Sequence, residues 1–290
     1  MQAMTVRSSG VDLAVRSVGD PPAPTIVLVH GFPDTQAMWD LVVEHLRDDF
    51  HVVTYDVRGA GESTAPSSRA GYRMDRLVDD LVAVIEHVRP DGGAVHLVGH
   101  DWGSVQSWGS VLREESDPRL RGRLASYTTI SGPALPHFGR FLRDAARHRR
   151  WRPLVKQLGH SWYIGAFQLP AVPELVFRRF GGRLRKYLSE SQRLGRAAHW
   201  APTFAEDGAH GVNLYRANSG GVASTGVRTR VPVQLIVPRF DAFLSPDLYD
   251  ELPSFVDHLT RVDLPAGHWV PRTHPDVIAD HIKAFVLAHE

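Results

Sequence analysis

The sequence predicts an α/β fold, with a doubly wound, mostly parallel sheet and an inserted helical cap. Short β-branched apolar runs alternate with segments of helical periodicity, which is the pattern of a parallel sheet covered on both faces. The alternation stops between about residues 136 and 226, where the chain is mostly helical, and resumes at residue 233. A segment that leaves a sheet and returns to it forms a lid. We therefore predict a core from residues 1–135 and 226–290, and a cap from residues 136–225.

Six apolar runs are the predicted strands, and two amphipathic segments between them are the clearest helices. The runs are near-continuous, as expected for strands buried on both faces, and they cover residues 25–29, 52–55, 95–98, 124–130, 233–237 and 261–264. The helices are predicted over residues 76–89 and 276–288. In the first of them, Leu77, Leu81 and Ile85 recur at helical spacing and form one apolar face.

The composition is that of a globular protein with an even charge balance. Of the 290 residues, 43% are hydrophobic and 22% charged, which is enough to bury a core and excludes intrinsic disorder. Lys and Arg total 33 against 32 Asp and Glu, so a net charge of +1 excludes a generally nucleic-acid-binding composition. The absence of cysteine excludes disulfides, thiolate metal sites and cysteine nucleophiles. Residues 1–10 carry no signal-peptide pattern, and we expect a soluble cytoplasmic protein without a transmembrane segment.

The predicted cap is strongly basic. Residues 140–196 hold 12 Arg and 2 Lys against 3 acidic residues, and the densest cluster lies at residues 147–152. Charge runs most often form a solvated helix face. Attraction for an anionic substrate or a membrane surface is the alternative that bears on function, and nucleic acid is a third. The sequence leaves these alternatives open.

The strongest motif is a strand that runs into Gly-x-Asp-x-Gly and then into a helix. It spans residues 95–103, with Asp101 between Gly99 and Gly103. A sharp strand-to-helix turn of this kind holds a nucleophile in a strained conformation, and side chains at the flanking positions would collide with neighbouring backbone. The following helix favours negative charge at its N-terminus. A chance turn is the alternative, and the flanking strand and helix argue against it.

The aspartate determines the class of reaction. A carboxylate is ionised at neutral pH and needs no base before it attacks a saturated carbon, such as that of an epoxide or an alkyl halide. The product is an ester of the enzyme, which water can cleave at its carbonyl. A serine in this position would form an ether, which hydrolysis cannot release. Asp101 therefore argues against an ordinary esterase.

A loop after the first predicted strand supplies the next group that ester hydrolysis needs. Residues 30–33 are His-Gly-Phe-Pro, about 70 residues before the nucleophile. In this architecture such a loop supplies a backbone N–H to an oxyanion hole, here that of Phe32. The second N–H would be that of Trp102, the residue after the nucleophile.

The general base is predicted at the carboxyl end of the last predicted strand. His268 follows residues 261–264, at the edge where open α/β sheets place their sites. It needs a carboxylate to fix its tautomer, and Asp241, shortly after the strand 233–237, is the candidate. The alternatives are a turn-forming role for Asp241, or Asp247 as the true partner.

These motifs, in this order and spacing, resemble the α/β-hydrolase superfamily and, within it, the epoxide hydrolases of the actinobacterial type. The resemblance covers nearly the whole chain and rests on residues 30–33, 56–63 (Asp-Val-Arg-Gly-Ala-Gly-Glu-Ser) and 99–103. It implies the α/β-hydrolase fold with a helical cap. One departure is Pro238, where relatives often have glycine.

The resemblance also implies two cap tyrosines that hydrogen-bond the epoxide oxygen. One lies just upstream of a Phe-Gln pair, which here matches Tyr163 ahead of Phe167, and the other lies in a Tyr-Arg-x-Asn element, which matches Tyr215. In the implied mechanism Asp101 attacks an epoxide carbon, and water activated by His268 then releases a vicinal diol. A tyrosine in a helical cap is otherwise more often a packing residue.

Three other kinds of protein share parts of this pattern. A haloalkane dehalogenase has the aspartate and the following Trp, but it typically has Asn at the position of Phe32 and no use for paired tyrosines. A fluoroacetate dehalogenase typically has Arg at the position of Trp102. A non-catalytic binding protein on the same fold commonly lacks part of the triad, whereas every position is filled here. The sequence therefore favours an epoxide hydrolase.

The remaining expectations concern ligands and partners. Aromatic cap residues predict an apolar pocket, with Phe32, Trp102, Trp162 and Phe167 as candidate substrate-binding residues. The substrate is expected to be an apolar epoxide, and the basic cap makes a lipid-like or anionic one the hypothesis to test. No cofactor or metal is expected, because the histidines show no HExxH or other ligand spacing. No nucleic-acid partner is expected, and the oligomeric state is open, a homodimer included.

Overall fold

The computed structural model describes residues 1–219 and 228–290, and within these ranges it contains one sheet of eight strands. The strands are β1 (Gln2–Ser8), β2 (Val11–Val18), β3 (Thr25–Val29), β4 (His51–Tyr55), β5 (Val95–His100), β6 (Leu124–Ile130), β7 (Val233–Pro238) and β8 (Leu259–Leu264). Their spatial order is β1-β2-β4-β3-β5-β6-β7-β8. The pairs β1–β2 and β2–β4 are antiparallel and the others are parallel. The predicted α/β class with a mostly parallel sheet is confirmed.

The strand order reverses at the centre of the sheet. The strand β3 pairs with β4 on one side and with β5 on the other, so the chain leaves β3 in one direction and later returns to its opposite side. At such a reversal the loops that follow the two strands diverge and leave a crevice at the carboxyl edge of the sheet. The loops after β3 and β5 carry Phe32 and Asp101, so the fold brings these two residues to the crevice.

Helices cover both faces of the central strands and bury them. Successive residues of a strand point to opposite faces, so Val27 belongs to the core cluster with Leu81 while Ile26 belongs to the one with Ile282. The helices of the core are α1 (Asp40–Leu46), α2 (Met74–Val88), α3 (Trp102–Val111), α9 (Val270–Thr273) and α10 (Pro275–Leu287). The two helices predicted from periodicity are α2 and α10, with ends displaced by one or two residues.

Both edges of the sheet differ from the sequence prediction. The strands β1 and β2 are not among the predicted strands, because neither is buried continuously. In β2, buried and half-buried residues alternate along the strand, and β1 is mostly exposed. The run at residues 261–264 is predicted to be a buried strand, and this is wrong. The strand β8, which contains it, pairs only with β7 at the edge of the sheet and has no buried residue.

Five helices of the described ranges lie between β6 and β7, where the cap is predicted. They are α4 (Leu135–Arg147), α5 (Trp151–His160), α6 (Trp162–Ala166), α7 (Val172–Ser191) and α8 (Phe204–Asn218). The helices α7 and α8 approach closely because Gly208 leaves room for the ring of Phe177, which a Cβ atom at residue 208 would overlap. The predicted boundary between cap and core at residues 225 and 226 lies outside the described residues.

Across residues 1–219 and 228–290, none of the helices combines the length and the apolar character needed to cross a bilayer.

Candidate active site

Asp101 occupies a strained turn between β5 and α3. Its backbone has φ 53° and ψ −123°, a conformation that residues with a side chain rarely adopt. The turn needs glycine at position 103, because a Cβ atom there would lie 2.6 Å from the carbonyl oxygen of His30. The close approach of these two loops directs the carboxylate of Asp101 into the crevice at the end of the sheet.

The carboxylate of Asp101 is nearly buried and is held by backbone N–H groups. The Phe32 N–H donates to Oδ1 of Asp101 at 2.8 Å. The side chain of Asp101 is 12% exposed. Burial raises the pKa of Asp101 to about 6, although His268 and the N–H groups of Phe32 and Trp102 act in the opposite direction. These are the two N–H groups predicted for the oxyanion hole, and the structure brings both to this carboxylate.

His268 lies between two carboxylates. Its Nδ1 is 2.9 Å from Asp241 Oδ2, and its Nε2 is 3.6 Å from Asp101 Oδ2. Burial disfavours a charged imidazole, but the negative charges of Asp241 and Asp101 outweigh that effect and raise the pKa of His268 to about 9. One edge of the ring is therefore fixed by Asp241, while the other faces Asp101.

Asp241 is the acid that contacts His268. Its Oδ1 accepts the backbone N–H groups of Phe243 at 2.8 Å and Leu244 at 3.1 Å, which orient the carboxylate. Burial opposes its charge, yet the contact with His268 outweighs this and keeps the pKa of Asp241 below its ordinary value. The alternative acid, Asp247, instead lies 2.9 Å from the hydroxyl of Ser245.

An apolar cavity of about 540 Å³ leads to Asp101 and His268 between the core and the cap helices. Tyr163 on α6 and Tyr215 on α8 also line it, with their ring centroids 5.9 Å apart. Burial raises the pKa of both tyrosines far above the ordinary value, and the charge of Asp101 adds to the effect. Both hydroxyls therefore stay protonated and can donate a hydrogen bond inside the cavity.

The predicted substrate-binding residues take different positions around this cavity. The ring of Phe32 lies in its wall, edge-on to Phe167 at 5.6 Å and to Tyr215 at 5.3 Å. Trp162 lines the outer part and is 72% exposed. Trp102 is not among the lining residues, and its ring packs edge-on against Tyr215 at 4.9 Å. The side chain of Trp102 therefore contacts Tyr215, which itself lines the cavity.

A second buried acid–histidine pair lies beside the site, and the sequence analysis did not predict it. Asp34, in the loop after β3, lies 2.6 Å from Nε2 of His199, which precedes α8. The indole N–H of Trp269 donates to the same carboxylate at 3.0 Å. Burial opposes the charge of Asp34, but His199 outweighs it and lowers the pKa of Asp34 to about 2. The available signal was position, since Trp269 directly follows His268.

His30 of the predicted loop has a structural role. Its Nε2 accepts the backbone N–H of Val57 at 2.9 Å, and its other ring nitrogen lies 2.8 Å from the carbonyl oxygen of Gly31. A buried pair between Arg58 and Asp80, with contacts of 2.5 and 2.6 Å, anchors the segment that follows β4. These contacts fix the loop that presents the Phe32 N–H to Asp101.

The sequence matches a protein family with this arrangement. The family model described as alpha/beta hydrolase fold matches residues 24–275. The chain belongs to the α/β-hydrolase family. The strand order, the strained turn at Asp101 and the position of His268 after the last strand are consistent with this membership.

Several known proteins are similar to this α/β hydrolase. "Probable oxidoreductase EphD" of Mycobacterium tuberculosis is 37% identical over 98% of this chain, but the match covers only 49% of that protein. The chain thus spans about half the length of that relative. "Epoxide hydrolase A" of Mycobacterium tuberculosis is 27% identical, with 98% of this chain and 97% of the relative covered. A solved structure described as novel epoxide hydrolases from metagenomes of hot environments is 25% identical, with a TM-score of 0.77 and 98% of each chain covered.

Proposed function

We propose that this α/β hydrolase opens epoxides to vicinal diols. The observation that carries the proposal is an ionisable carboxylate, Asp101, that shares one apolar cavity with two protonated tyrosines, Tyr163 and Tyr215. A carboxylate nucleophile suits a saturated carbon, and a pair of neutral donors suits an oxygen that becomes an alkoxide. A relative named epoxide hydrolase, of which the match covers 97%, supports the same activity.

In the first half-reaction Asp101 attacks a ring carbon. Its Oδ1 is held by the Phe32 N–H, so we assign the attack to Oδ2. The carbon–oxygen bond of the ring breaks, and the ring oxygen takes a proton from the Tyr163 and Tyr215 pair. The product is an ester of Asp101 that carries a neighbouring hydroxyl group.

In the second half-reaction water cleaves that ester. His268 takes a proton from the water, and Asp241 stabilises the resulting imidazolium. The developing oxyanion lies at the N–H groups of Phe32 and Trp102, which already act on the carboxylate in the free enzyme. Cleavage breaks the bond to the ester oxygen and gives a carboxylic acid and an alkoxide; the acid passes its proton to the alkoxide, which restores the Asp101 carboxylate and releases the diol. The proton held by His268 returns to the tyrosine pair.

Trapping the ester tests this proposal directly. Without the base, His268→Gln should form the ester and fail to release it. We expect its intact mass, after incubation with a pool of epoxides and haloalkanes, to rise by the mass of one whole epoxide. Asp101→Ala is the matched control and should gain nothing.

Other masses would overturn the assignment. A gain equal to an alkyl group without its halogen would identify a dehalogenase, which shares the carboxylate nucleophile. No adduct from a broad pool, with the fold intact by circular dichroism, would remove the support for an alkylated Asp101.

A further inference from the structure

The outer surface of the cap concentrates exposed apolar side chains. Ten of the 13 large hydrophobic residues that are exposed in the described ranges lie between residues 151 and 187. Folded domains usually scatter such residues singly, and a contiguous apolar patch marks an interaction surface. The rest of the described surface contributes only Met1, Phe240 and Leu287.

These side chains form a stripe on each of two helices. On α5 they are Trp151, Val155 and Leu158, which recur at helical spacing and are 57%, 64% and 53% exposed. On α7 the residues Val172, Val176 and Phe180 are spaced by four, and Tyr187 follows Phe180 after seven residues, or about two turns. We define the apolar cap face as these two stripes together with Trp162, and its α7 members are Val172, Leu175, Val176, Phe180 and Tyr187.

Four members of the apolar cap face lie at the opening of the active-site cavity. Trp162 from one side and Val172, Val176 and Tyr187 from the other line the cavity, and all four are exposed. Residues that both line a cavity and face solvent mark where it opens. A ligand that enters by this route therefore crosses the apolar cap face before it reaches Asp101.

Basic side chains are interleaved with this surface. Arg152 is exposed beside the α5 stripe, and Arg179 and Arg183 lie 5.8 and 5.6 Å from the ring centroid of Phe180 on α7. In the part of the chain that the structure describes, none of these three arginines takes part in an ion pair. Their charge is thus available to a partner.

We propose that the apolar cap face docks on an anionic lipid bilayer, so that the cavity opens towards the membrane. Aromatic and aliphatic side chains insert at the level of the headgroups, while arginines on the same helices reach the lipid phosphates. A second copy of the chain fits this face less well, because a symmetric contact would bring two basic surfaces together. That an apolar epoxide enters from the bilayer rests on the proposed function, whereas docking itself does not.

Binding to vesicles of two compositions tests the docking. We expect the whole protein to co-sediment with vesicles of phosphatidylcholine mixed with phosphatidylglycerol, and to bind vesicles of phosphatidylcholine alone more weakly. Added salt should weaken the binding to the mixed vesicles. The measurement needs no substrate, so its outcome is independent of the ester-trapping experiment that tests the activity.

Matched substitutions locate the docking surface. Leu158→Glu places a charge on the apolar cap face and should weaken binding about tenfold. Leu287→Glu is the control, because Leu287 is 54% exposed on α10 of the core, against 53% for Leu158. Arg183→Glu should also weaken binding about tenfold, since each basic residue near the surface contributes to attraction. Hydrolysis of a water-soluble epoxide should be unchanged in Leu158→Glu.

Three results would overturn the proposal. One is absence of binding to the mixed vesicles. Another is equal weakening by Leu158→Glu and Leu287→Glu, which would mean that no particular surface docks. The third is a chain that is dimeric in solution, becomes monomeric on Leu158→Glu and does not bind vesicles, which would assign the apolar cap face to a second copy.

Discussion

The charges of Asp101 and His268 depend on each other. In the free enzyme the negative charge of Asp101 helps to raise the pKa of His268 to about 9, and His268 in turn holds down the pKa of Asp101. Formation of an ester removes the negative charge of Asp101, so the pKa of His268 falls. A lower pKa makes His268 a neutral base at the stage at which the proposed mechanism needs one.

This coupling predicts the pH dependence of the first half-reaction. Attack needs ionised Asp101, whose pKa is raised to about 6, so the rate should fall as the pH drops through that value. In His268→Gln the counter-charge is lost, and the midpoint should move above 6. Quenched-flow intact mass of this variant measures the rate of adduct formation at each pH. A rate of adduct formation in this variant that stays constant as the pH falls to 6 would contradict the role given to the Asp101 carboxylate.

The tyrosines are predicted to act through their hydroxyl groups. Tyr215→Phe keeps the ring that packs on Phe32 and Trp102 but removes the donor to the ring oxygen. We expect adduct formation to slow about a hundredfold or more, with thermal unfolding nearly unchanged. Tyr163→Phe should act in the same way. Tyr187→Phe is the control, because Tyr187 lies in the exposed part of the cavity wall, and an equal loss there would refute the assignment.

At the level of the secondary-structure elements, Asp34 connects the region between β6 and β7 to the rest of the protein, beside His268. It joins the loop after β3 to His199, which precedes α8, and to Trp269, which begins the segment leading into α9. The side chains of Asp34 and His199 are 0% and 2% exposed, so either one would be costly to leave without its partner.

Removal of this acid is predicted to destabilise the fold. Asp34→Asn should lower the free energy of unfolding by about 2–4 kcal/mol, because a buried His199 loses its carboxylate. Denaturant unfolding measures the change. The double variant Asp34→Asn/His199→Leu should lose less than Asp34→Asn alone, and a greater loss would argue against the pairing.

The same contact predicts how stability changes with pH. The pKa of Asp34 is lowered from 3.8 to about 2 in the folded protein, so its contribution is complete above the unfolded value and disappears as the pH falls towards 2.

At the scale of the whole molecule, charge is divided unequally between cap and core. Residues 140–196 carry 14 basic residues against 3 acidic ones although the net charge of the chain is +1, so the remainder is acidic. A basic surface next to a cavity opening raises the local concentration of an anionic ligand, and salt screens this effect.

This asymmetry predicts a salt dependence that distinguishes substrates. For an epoxide that carries a carboxylate, kcat/KM should fall as ionic strength rises, while a neutral epoxide of the same shape should show little change. Steady-state rates at increasing sodium chloride concentration measure both. Equal salt dependence for the two would mean that the basic cap does not attract the substrate.

Features that depend on short stretches of chain follow from the sequence alone. A buried strand, two glycines and an acid within residues 95–103 define the strained turn at Asp101, because the backbone there allows little else. The order of the strands then places His268 and Asp241 at the same edge as Asp101. Local patterns were less informative at the edges of the sheet, where β2 and β8 are not covered on both faces.

Contacts between distant segments depend on how the chain packs in three dimensions. Asp34 and His199 are 165 residues apart, and no sequence motif indicates that they form a pair. The ring of Trp102 turns towards Tyr215 instead of the cavity because packing with α8, and not its place in the motif, sets its direction. The segments that carry the apolar cap face likewise have the sequence pattern of ordinary amphipathic helices. Its exposure follows from which sides of α5 and α7 meet the rest of the protein, and a helical periodicity shows two faces without saying which one is buried.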